Sequence, residues 1–142
     1  MDRIIYNNVE ELKTIPECED RQGYVYVIDN GEHIKIGWST NVYQRMISLS
    51  HSNTGGNEIK RIYLSPMSAI YNTLEYSMHQ TFRDYRTVGE WFTGISFEEV
   101  CSQLDDFCKS DSYIRCNEVR KQYNKKDIRD LNEFSKLPHG FC

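Results

Sequence analysis

Long apolar runs are missing from this chain: none approaches the roughly 20 residues a helix needs to cross a bilayer. No basic stretch followed by an apolar one opens it, so export is not expected and the cytoplasm is the expected compartment. The five cysteines (Cys18, Cys101, Cys108, Cys116, Cys142) are odd in number and form no C-x-x-C pair. A disulfide framework or a structural zinc site therefore has little support, and reduced thiols are expected. Internal repeats and low-complexity linkers are also lacking, so 142 residues suggest one domain, with room for a small appendage.

An excess of positive charge is absent too. The net charge of −4 argues against a strong nonspecific nucleic-acid binder. The acid is concentrated, however, with −4 over residues 1–20 and −4 over 93–112. Residues 21–92 carry +1 and residues 113–142 carry +3, which leaves a local basic surface possible. Aromatic residues, by contrast, are plentiful at 13%, with ten tyrosines, and this composition excludes a disordered chain.

The periodicities predict an α+β fold: a small antiparallel three-stranded sheet flanked by helices. After an acidic lead-in (1–20), Tyr24 to Ile28 and His33 to Gly37 read as two strands joined through Asn30-Gly31, a strong hairpin signal. With Asn30-Gly31 as the loop, Val27 pairs with Ile34, Tyr26 with Lys35 and Tyr24 with Gly37. Period-two alternation then collects Val25, Val27, Ile34 and Ile36 on one aliphatic face, and Tyr24, Tyr26, His33 and Lys35 on the other. Residues 40–50 predict a short helix with Thr40 as N-cap, followed by a polar loop (50–57) and a third strand from Ile59 to Leu64. Ser65-Pro66 predicts the start of a long helix with the stripe Met67, Ile70, Tyr71, Leu74, Met78, Phe82 and Tyr85. Ser96 and Glu99 form a capping box for a third helix. The tail from Tyr113 reads as helical in pieces. Residues 21–95 are thus the expected functional domain, and 96–142 a helical extension packed on it.

Three constellations could carry chemistry. Glu75 and His79 are four apart, adjacent on one helix face, with Glu75 at the rim of the apolar stripe. A carboxylate there is costly to bury and well placed to meet a cation, although a solvated Glu beside a flank His is the commoner outcome. Tyr26 opposite Lys35 is either a cross-strand pair on a half-exposed sheet or a tyrosine whose ionisation the ammonium assists. Arg45 is either a surface residue or a planar, permanently charged donor to phosphate oxygens. Trp91 reads as a core anchor more readily than as a base-stacking platform.

Taken in order, these residues resemble the GIY-YIG nuclease superfamily, over Tyr24 to Phe92. Tyr24-Val25-Tyr26 is similar to the first signature tripeptide and Lys35-Ile36-Gly37 to the second. Arg45 stands at the family's helix arginine and Glu75 at its metal-binding glutamate. The segment from Leu74-Glu75 through His79, Phe82 and Arg86 to Gly89-Glu90-Trp91-Phe92 resembles a phage-associated branch described as DNA-binding. Two departures stand out: Tyr24 replaces the first glycine, and Lys35 replaces the second motif's tyrosine. The resemblance implies a metal-dependent endonuclease acting on nucleic acid, with DNA as the expected substrate. It implies that Glu75 holds one Mg²⁺ or Mn²⁺, with Tyr26, Lys35, Arg45, Glu75 and His79 as catalytic residues, and with His79 or His33 either relaying protons or orienting the site. Lys60, Arg61, Arg83 and Arg86 are the expected phosphate contacts. A non-cleaving DNA-binding module and a protein-interaction adaptor are the alternatives.

Overall fold

The computed structural model describes residues 3–51 and 59–125. Its sheet has four antiparallel strands: β1 (Tyr24–Asp29), β2 (Ile34–Ser39), β3 (Arg61–Leu64) and a two-residue β4 (Trp91–Phe92). Their order is β3-β1-β2-β4. The helices are α1 (Val42–His51), α2 (Tyr71–Thr81), α3 (Phe97–Lys109) and α4 (Asp111–Lys125). The α+β expectation holds, with β4 added to the three expected strands.

Both faces of the sheet are covered, because both carry apolar side chains. Val25, Val27, Ile34 and Ile36 pack against Ile70, Leu74 and Met78 of the α2 region and Phe97, Val100 and Leu104 of α3. Helix α3 therefore shares one core with the hairpin and α2. On the opposite face, Tyr24, Tyr26 and Ile28 pack with Ile62, with Val42 and Met46 of α1, and with Leu12. The acidic lead-in is part of this layer. Leu12 is buried within a 3-10 turn (Val9–Thr14). Tyr6 also exchanges two backbone hydrogen bonds with Ile62, at 2.9 and 2.8 Å.

The expected division of faces is observed, but the hairpin register differs. Tyr26 pairs with Gly37, Ile28 with Lys35 and Asp29 with Ile34. The turn is centred one residue later than expected, because the Asn30 side chain closes a four-residue loop (30–33) from within. Asn30 Oδ1 accepts hydrogen bonds from the Glu32 and His33 amides at 3.0 and 2.7 Å. The positive φ falls on Gly31, at 98°, where glycine carries no Cβ penalty. A shift of the turn centre by one residue moves each cross-strand partner by two, which leaves the faces intact and changes the neighbours.

Two helix starts also differ. Asn41, not Thr40, caps α1, its Oδ1 accepting from the Gln44 amide at 3.2 Å. Ser65 does not open α2. It is buried, and its hydroxyl accepts from the Val25 amide at 2.9 Å. α2 begins at Tyr71, and Met67 lies before it, packed on the other face. Ser96 does cap α3, accepting from the Glu99 amide at 3.1 Å. Cys18, Cys101 and Cys108 are free thiols. Most of the 50–57 loop, and the tail points Ile128, Leu131 and Phe134, lie outside the described residues.

Candidate functional site

The site forms at the outer edge of β2, where the short β4 ends. β4 pairs with Ile34 and Lys35, and the Ile36 amide then donates to the Glu90 carbonyl at 3.1 Å. Gly37 follows with no side chain. A Cβ there would stand 2.9 Å from Tyr26 Cε1 and closer still to the phenol oxygen. The missing Cβ thus lets the Tyr26 ring occupy the space over its cross-strand partner. The Tyr26 hydroxyl then meets α1, whose Arg45 donates through Nε at 3.4 Å.

From the opposite face, α2 supplies two side chains to the same edge. His79 Nε2 lies 2.8 Å from the Ile36 carbonyl oxygen, and its ring meets Phe92 edge-on at 5.1 Å. A carbonyl can only accept, so Nε2 carries the proton and the neutral ring keeps its lone pair on Nδ1. Glu75, one helical turn before His79, is paired with Glu90. One ligand atom from each of Glu75, His79 and Glu90 lies within 4.8 Å of the other two.

The electrostatics of the site are those of crowded negative charge. Burial pushes the Glu75 carboxyl up to about 7; the Glu90 charge and its hydrogen bond push in the same direction, and Lys35 partly opposes them. Two carboxyls in one site cannot both ionise cheaply, and an added dication relieves both. The donor set therefore fits a divalent metal. Burial also raises the Tyr26 phenol above its ordinary value; the Arg45 hydrogen bond lowers it, and Glu90 and Glu75 raise it further.

Lys35 is not the partner of Tyr26. Its ammonium lies 3.5 Å from Glu90 Oε1 and 5.1 Å from the centre of the Trp91 ring. The guanidinium of Arg45 takes the role expected of Lys35, because the true register sets Lys35 across from Ile28. Trp91 is a half-buried shelf for that ammonium rather than a core anchor, and His33 meets its edge at 6.4 Å.

The expected phosphate contacts are not gathered at this edge. Lys60 and Arg61 belong to the β3 edge, on the far side of the sheet from β4. Arg61 is already committed: it donates to Asp29 at 2.7 and 2.9 Å and to Glu98 at 2.7 Å, and covers the Phe97 ring at 4.4 Å. Arg83 is exposed just beyond α2, and Arg86, also exposed, donates to the Gly89 carbonyl in the loop that carries Glu90.

Glu90 and Trp38 escaped the sequence reading. Glu90 sits in a loop where no periodicity marks it, although it lies in the Gly89-to-Phe92 block. Trp38 follows Gly37 in β2, is 40% exposed, and packs against Tyr71 with ring centres 4.7 Å apart and planes tilted by 49°. Tyr71 is one helical turn before Glu75 on the same face of α2.

Among the described residues, no helix is long and apolar enough to cross a membrane. No curated protein and no solved structure matches the chain. The model of the T5orf172 domain matches residues 23–109, well over half of the chain, which therefore belongs to that phage-associated, nucleic-acid-related family.

Proposed function

We propose that the chain is a GIY-YIG-type endonuclease that hydrolyses phosphodiester bonds in DNA with one divalent metal, Mg²⁺ or Mn²⁺. The observation that carries this reading is the meeting of three elements at one sheet edge. A buried tyrosine hydrogen-bonded by a guanidinium adjoins a carboxyl whose affinity for protons is raised by burial and by a second carboxyl.

Each group has a task. Tyr26, as its phenolate, takes a proton from water while the water oxygen bonds to phosphorus and the bond to the leaving oxygen breaks. Arg45 supports the phenolate through its Nε–H and neutralises charge growing on the phosphate oxygens. Glu75 is the residue that would hold the metal, whose chemistry when bound is to stabilise charge on the leaving oxygen. Neutralising Glu75 and Glu90 would also remove two of the influences that keep Tyr26 protonated. Lys35 holds Glu90 in place and contributes positive charge beside the phosphate position.

A plasmid-nicking assay with Mg²⁺, Mn²⁺ or EDTA tests the reading. Nicking that needs the metal and vanishes in Glu75→Ala is expected; nicking that survives Glu75→Ala would refute it. One feature favours a second reading, a DNA-binding module that does not cleave: Lys35 stands in place of the second motif's tyrosine. That module would show salt-dependent DNA binding without nicking, its affinity falling with the logarithm of salt concentration.

A further inference from the structure

The resemblance implies one protein ligand to the metal, Glu75, whereas the structure surrounds Glu75 with two further donors. We propose that Glu75, His79 and Glu90 form a three-ligand site for a first-row transition-metal dication, which it holds in preference to Mg²⁺. This inference rests on the reading of Glu75 as a metal ligand and extends it.

Geometry is the first argument. The three ligand atoms, within 4.8 Å of one another, are close enough for metal–ligand bonds of about 2.0–2.2 Å to draw them together. They come from separate segments, α2 and the loop before β4, yet both segments are fixed to one residue. The Ile36 carbonyl accepts the proton of His79 Nε2, and the Ile36 amide donates to the Glu90 carbonyl. A backbone carbonyl on one imidazole nitrogen is the usual device that fixes the tautomer and frees the other nitrogen for a metal. Phe92, edge-on to the ring, restricts its rotation.

Charge is the second argument. Two carboxylates crowd together beside the Lys35 ammonium, with the Arg45 guanidinium also in the field of Glu90, so ionising both acids uses up the positive charge of the site. A dication relieves the repulsion between the acids and gives the site the net positive charge that attracts a phosphodiester. Donor type is the third argument. Mg²⁺ takes oxygen ligands and is reluctant to lose water, while an imidazole donor shifts preference toward transition metals.

The test uses the full chain, stripped of metal and titrated with Mn²⁺ under electron paramagnetic resonance. One Mn²⁺ should bind with nitrogen coupling from a directly bound imidazole, and a matching concentration of Mg²⁺ should not displace it. His79→Ala should remove the nitrogen coupling. Both His79→Ala and Glu90→Gln should weaken Mn²⁺ binding by no less than the roughly 10- to 100-fold that loss of an outer partner costs. A wild-type Mn²⁺ complex without nitrogen coupling overturns the proposal, and because it is read on the native chain it does not depend on any variant folding. Equal Mn²⁺ affinity in wild type, His79→Ala and Glu90→Gln overturns it as well. If Glu75→Ala alone abolishes binding, the three-ligand site fails and the Glu75 reading survives. If nitrogen-coupled Mn²⁺ binds but plasmid is never nicked, the metal site stands and the cleavage reading fails.

Discussion

The phenol of Tyr26 occupies the space that a side chain on Gly37, its cross-strand partner, would need. Gly37 is therefore required by its neighbour rather than by its own backbone. Gly37→Ala should push the ring aside, weaken the Arg45 hydrogen bond and cost about 1–3 kcal/mol in stability, the usual range for overpacking. Urea unfolding measures this cost, and nicking activity should fall with it. In a double-mutant cycle with Tyr26→Ala the two costs should be strongly non-additive. Additive costs would mean that the two residues do not share that space.

Arg45 carries a second prediction. Its Nε–H bonds the Tyr26 hydroxyl, and lysine cannot reproduce a planar guanidinium bridging a phenol and a phosphate. Both Arg45→Ala and Arg45→Lys should lower kcat by roughly 10²–10³-fold, the size of losing one preorganised donor. The residue is exposed, so thermal unfolding should barely change. Full activity in Arg45→Lys would reduce its role to simple positive charge.

The sheet faces could be read from the sequence because period-two alternation survives a two-residue change of partner. The partners themselves could not. Asn30 suits a two-residue turn, and it suits equally the four-residue loop that its side chain closes by accepting from the Glu32 and His33 amides. That single ambiguity made Lys35 the apparent neighbour of Tyr26 and hid Arg45's part. Ser65 misled in a related way: its hydroxyl, suited to a helix cap, is used by the Val25 amide, 40 residues away in sequence. Glu75 was visible because a carboxylate at the edge of an apolar stripe is anomalous within its own helix. Glu90 became significant only through a tertiary fact, the pairing of its backbone with Ile36.

The paired carboxyls predict a pH dependence in metal-free protein. The Glu75 carboxyl titrates near 7 in the folded state against an ordinary 4.5. A raised value means that the fold favours the protonated form. The stability that this carboxyl contributes is therefore greatest at acid pH and is lost as pH rises from about 5 through 7. Thermal unfolding in EDTA should show the melting temperature falling over that window, and Glu75→Gln should flatten the fall. Added Mn²⁺ should restore stability at pH 8 by binding the folded state alone. A wild-type profile in EDTA that is flat, or that rises over this window, would count against the carboxyl pair.

Arg61 and Trp38 make opposite predictions about nucleic acid. Arg61 is spent on Asp29, Glu98 and the Phe97 ring, so Arg61→Ala should cost about 1–2 kcal/mol of stability. It should leave DNA affinity and the salt slope nearly unchanged. Trp38 is partly exposed beside Gly37 and packed at a tilt against Tyr71, one turn from Glu75. An aromatic face so near the site suits a base flanking the scissile phosphate, and such stacking is worth about 1–3 kcal/mol per base. Trp38→Ala should therefore weaken binding of a short single-stranded or frayed DNA by roughly 5- to 100-fold, with the salt slope unaltered, because stacking releases no counterions. Fluorescence anisotropy at several salt concentrations separates the two variants. If Arg61→Ala reduced the salt slope and Trp38→Ala left affinity untouched, the DNA path would run along the β3 edge rather than past β2.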